Sequence, residues 1–104
     1  MEKNKLVDDG IAEICISEIT KNSPFVRDAI SYEIQDDFNF VLFSVATDGV
    51  SDVSPLDRKR IAKLVDDIVP KRHGEDSWMV NFVLNGKIFD SYFGGDSAAP
   101  DAGL

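Results

Sequence analysis

An α+β domain with the element order α-β-β-α-β-β is predicted by three features of the sequence. Apolar residues recur at helical spacing in two stretches. They alternate or run together in four shorter ones, and Asn85-Gly86 joins the last two as a hairpin turn. The simplest assembly packs both helices against one four-stranded, mostly antiparallel sheet. A chain of 104 residues, 43% of them hydrophobic, has the size and composition for one core. We place that domain at residues 1–93 and read 94–104, rich in small residues, as a flexible tail.

The first helix is expected from about Lys5 to Lys21. Val7, Ile11, Ile14 or Cys15, and Ile19 share its apolar side, with Asp8, Glu13 and Glu18 between them. Gly10 costs this helix about 1 kcal/mol against alanine, and Ile14-Cys15-Ile16 also suits a short strand. Asn22-Ser23-Pro24 stops it, with Ser23 placed to cap a further turn that begins at Pro24. From Ala29 the period drops to two. Ile30, Tyr32 and Ile34 alternate with Ser31, Glu33 and Gln35 as a half-buried strand, and Asp36-Asp37 turns the chain. The nearly continuous apolar run from Phe38 to Ala46 suits an interior strand covered on both faces, closed by Asp48-Gly49.

Ser54-Pro55-Leu56-Asp57 starts the second helix. Ser54 caps it, Pro55 takes the first position, and Asp57 sets a carboxylate at the positive end of the dipole. Ile61, Leu64, Val65 and Ile68 form its core stripe, Arg58, Lys59, Arg60 and Lys63 lie off the stripe on a solvated face, and Pro70 ends it. The last hairpin joins Trp78–Leu84 to Lys87–Phe93. A regular ladder from its turn sets Phe82 opposite Phe89, Val80 opposite Ser91, Asn81 opposite Asp90 and Met79 opposite Tyr92. The core face is then Trp78, Val80, Phe82, Leu84 and Phe89.

The chemistry of function is sparse. The lone Cys15 forms no intramolecular disulfide and sits among isoleucines as a small buried hydrophobe. That usage and the lack of any signal-like or membrane-length apolar run point to the cytoplasm. His73 is the only histidine, set among solvated charges, and with one cysteine and one histidine no structural zinc site can be composed. Asp48, Asp52 and Asp57 lack the spacing of a cation loop, and Gly94-Gly95-Asp96 lacks the helix and lysine of a phosphate loop. No cofactor and no metal are expected. The pair Asn81 and Asp90, with Tyr92 beside it, is either a polar patch for a ligand or the ordinary solvent side of the hairpin.

The net charge is −8, and residues 28–57 carry seven carboxylates with no lysine or arginine. Such a surface repels nucleic acid and anionic membrane and complements a basic protein. The expected function is therefore that of a small acidic interaction domain. Its physical type is that of a bacterial cytoplasmic immunity or inhibitor protein, not an enzyme, neutralising a basic partner such as a toxin nuclease. Asp36, Asp37, Asp48 and Asp52 are the expected partner-binding residues. The alternative is a ligand-binding domain or small enzyme with a pocket between sheet and helices, using Asp90, Tyr92 and His73.

Overall fold

Asp8 starts the first helix: its carboxylate accepts the Ile11 N–H at 3.0 Å and caps helix α1, Asp9–Asn22. In the computed structural model described here, residues 7–35, 37, 39–50, 53–71 and 74–95 are described. The order is α1, strands β1 (Ile30–Gln35) and β2 (Phe40–Ala46), helix α2 (Pro55–Ile68), and strands β3 (Trp78–Leu84) and β4 (Lys87–Gly94). The first helix starts later than Lys5 because the Asp8 side chain takes up an otherwise unpaired N–H of the first turn. Ser23 ends this helix rather than beginning another. Its hydroxyl donates to the Ile19 carbonyl at 2.6 Å and accepts from the Phe25 N–H, and a short 3-10 turn at Arg27–Ala29 leads into β1. Helix α2 begins as its sequence dictates, with Ser54 accepting the Asp57 N–H at 3.1 Å.

The four strands form one sheet in the order β1-β2-β3-β4. The two hairpins are antiparallel, and β2 runs parallel to β3 with α2 as the crossover. Both helices lie on one face. Cys15, Ile16 and Ile19 of α1 and Ile61, Ala62 and Val65 of α2 meet Val41, Phe43, Val45, Trp78, Val80 and Phe82 in a single core. Within the predicted α2 stripe, Ile61 and Val65 are buried, whereas Leu64 and Ile68 are half-buried. On α1, Cys15 is buried and Ile14 is 53% exposed, which settles which of the two faces inward.

Strand β2 departs from expectation in a way that matters. It is central in the sheet, yet its burial alternates: Val41, Phe43 and Val45 are buried, while Phe40, Leu42 and Ser44 are only half-buried. Among the described residues, the helices cover one face and not two. Gly94, which the sequence reading puts in the tail, ends β4, and its carbonyl accepts the Ser77 N–H at 2.8 Å. Gly95 is buried against Ser77, and a Cβ there would come within 2.0 Å of the serine hydroxyl oxygen.

Candidate functional site

The Asn85-Gly86 turn has φ of 53° and 79°, as a tight hairpin with two left-handed residues requires. The two pairs nearest it, Leu84↔Lys87 and Val83↔Ile88, follow the expected ladder. Between Phe82 and Val83 the register then shifts by one residue. Phe82 faces Asp90, Asn81 faces Ser91, Val80 faces Tyr92 and Met79 faces Phe93. The expected pairing of Phe82 with Phe89 is thus wrong, and so is that of Asn81 with Asp90. Phe89 is the extra residue of a β-bulge and is 46% exposed; Leu84, also assigned to the core, is exposed to the same degree.

The bulge has a partner waiting. It turns Asp90 to the helical side of the sheet, where Arg58 Nε donates to its Oδ2 at 2.6 Å. Arg58 Nη1 also donates to the Val53 carbonyl, and its guanidinium carbon stands 5.2 Å from the Phe89 ring centre. The side chain is 15% exposed, so this arginine does not belong to the solvated face that the sequence suggested. Burial works to raise the Asp90 carboxyl pKa, but bonds from Arg58 and Tyr92 and the nearby positive charge outweigh it and hold the pKa below its ordinary value. The Tyr92 hydroxyl moves the other way, raised first by burial and then by the carboxylate. Its ring meets Phe82 edge-on at 5.9 Å. This group pins α2 to β4.

Asn81 lies on the opposite face, its Oδ1 accepting the Ser91 hydroxyl at 2.7 Å. Asn81, Asp90 and Tyr92 therefore do not form one polar patch. Asp90 and Tyr92 belong to the Arg58 cluster, and Asn81 to the open side of the sheet.

That open side is the most distinctive surface of the molecule. Leu42, Met79 and Phe93 stand in one row through direct cross-strand pairs. Ser44, Asn81 and Ser91 form the next row, and Ala46, Val83 and Ile88 the one beyond. Phe93 is 56% exposed and Ile88 59%, while Leu42, Met79 and Val83 are half-buried. Glu33, opposite Leu42, is the one charged residue among the described strand positions of this face. Sequence reasoning missed the surface because it gave β2 two covered faces. The available signal was that Leu42, Met79 and Phe93 are apolar at positions out of phase with the core residues of their own strands.

Two of the four expected partner-binding residues, Asp37 and Asp48, are among the described ones. Asp36 and Asp52 lie outside the described residues, as does His73. Asp37, with φ of 56°, sits in the β1–β2 turn, at the end of the sheet where β2 begins. Asp48 follows β2 at the other end, where its carboxylate accepts the Asn85 N–H at 2.8 Å. Asp48 thereby ties the β3–β4 turn to β2 as well as carrying charge. A shallow cleft between the end of α1 and the start of α2 is lined by Phe25, Val50, Val53 and Ile61, with the Asp57–Arg60 pair at its rim. It includes neither Asp90 nor Tyr92. Among the described residues no cluster of three or more His, Cys, Asp or Glu is placed to hold a metal, and no helix is long and apolar enough to cross a membrane. No family model, curated protein or solved structure matches the chain.

Proposed function

We propose that this chain is an acidic protein-interaction domain that works by binding, as a cytoplasmic immunity or inhibitor protein does when it covers a basic partner such as a toxin nuclease. The observation that carries the reading is the open sheet face. A row of apolar side chains, half-buried at Leu42 and Met79 and exposed at Phe93, nearly free of charge, is a surface that gains by being covered, and contiguous exposed apolar patches are typical of protein-binding sites. The net charge of −8 supports a basic partner, because clustered like charges speed the encounter with an oppositely charged surface.

The test is co-expression with the product of the adjoining reading frame, followed by association kinetics at rising salt. A complex is expected, with an association rate that falls as salt screens beyond about 8 Å at physiological ionic strength. Paired reversal of Asp36 and Asp37 to lysine should slow association while the domain stays folded. Reversal of Asp48 carries the added cost of the lost Asn85 bond. A salt-independent complex that tolerates both reversals would remove charge from the account. No complex at all would remove the partner.

A further inference from the structure

Resting on that protein-binding reading, we propose that the open sheet face seats a basic amphipathic helix contributed by the partner. A sheet face is stably covered by a helix or by another sheet, and α1 and α2 already supply the helical layer on the other side. The row Leu42, Met79, Phe93 crosses three adjacent strands. At about 4.8 Å between neighbouring strands that is roughly 10 Å, close to the 10–12 Å diameter of one helix. The row beyond Asn81, with Val83 and Ile88, offers a second apolar strip two pleat repeats, roughly 13 Å, from the first. Between the strips, Asn81 is 6% exposed and already accepts the Ser91 hydroxyl, so a small or polar residue of the helix suits that crossing.

Charge selects the occupant. The face itself holds only Glu33 among its described strand positions. One end of the sheet is acidic, with Asp37, Glu75 and Asp76 where β2 and β3 begin; at the other, Asp28 and Asp48 are accompanied by Arg27 and Lys87. A second copy of this chain would bring the same carboxylates to the same edges. A helix with an apolar stripe at i, i+3, i+4 and i+7, flanked by lysine or arginine, fills the rows and meets the rim with opposite charge.

The probe is a synthetic 18-residue Leu/Lys helix titrated into the isotopically labelled full chain, with a matched Leu/Glu peptide as control. Amide shifts should concentrate at Leu42, Met79, Val83, Ile88 and Phe93, binding should weaken at high salt, and the Leu/Glu peptide should not bind. Phe93→Ser combined with Ile88→Ser should weaken binding at least about tenfold, as loss of central anchors does. Both side chains are more than half exposed, so the unfolding midpoint should stay near that of the parent and show the fold intact. Shifts on α1 and α2, equal binding of both peptides, or dimerisation through these same residues would overturn the proposal. If the adjoining gene product binds the parent and the Phe93/Ile88 variant equally, this inference fails alone. If neither that product nor the Leu/Lys helix binds, the protein-binding reading fails with it.

Discussion

Cys15 is fully buried on α1, and burial pushes its thiol pKa up to about 12. The thiolate is the reactive form, so at neutral pH this cysteine should be nearly inert in the native protein. A disulfide exchange reagent should label it only as fast as the domain opens, and at once in denaturant; full labelling of the native chain within minutes would contradict its burial. Its role as a packing residue was legible in its isoleucine neighbours. The role of Asp90 was not, because it depends on a bulge that places the carboxylate beside Arg58, 32 residues away in sequence. With both side chains largely buried, Asp90→Asn should destabilise the domain by about 1–3 kcal/mol at pH 7. The pH dependence follows from the lowered pKa. The stabilisation is present above the unfolded carboxyl value of about 3.9 and is lost as pH falls through the folded value below it. Urea midpoints of parent and variant should therefore converge toward pH 2. A gap that persists in acid would mean that the charge of Asp90 is not what Arg58 recognises. Asp66 obeys the same rule: burial raises its pKa, but bonds from Lys71 at 2.7 Å and Trp78 at 2.9 Å bring it below the ordinary value.

Helix α2 is the element most completely written in the sequence, since each of its start signals acts within one turn. Ser54→Ala should cost about 1 kcal/mol of stability, read from the denaturation midpoint, through loss of the bond to the Asp57 N–H. An unchanged midpoint would deny the cap. Ile61, 2% exposed, should lose about 2–5 kcal/mol on truncation to alanine, and half-buried Leu64 distinctly less. The reverse ranking would mean that the helix is rotated about its axis. The last hairpin was legible only near its turn. Asn85-Gly86 dictates the first two pairs, but a bulge is stabilised by what its extra residue gains elsewhere, and that gain comes from a distant helix. Strand β2 was misread for a related reason. A continuous apolar run looks the same whether its second face meets another layer of this chain or a surface left open.

At the scale of the molecule, the two helices and the sheet account for the element order, the single core and a mixed sheet whose two hairpins are antiparallel. The parallel pairing of β2 with β3 follows from α2 being long enough to return the chain to the end of the sheet where β2 began. The candidate site was less legible than the fold, because neither residue pattern nor composition distinguishes an open apolar face from one already covered. The central claim is that one face of this sheet is closed by α1 and α2 and the other is open. It is tested most directly by methyl relaxation with a neutral soluble paramagnetic agent on the free, full-length chain. Signals from Leu42, Met79, Val83 and Ile88 should be strongly attenuated, while those of Val41, Val45, Val65 and Val80 should be spared. Equal protection of both sets would contradict the account, because the sheet would then be covered on both faces.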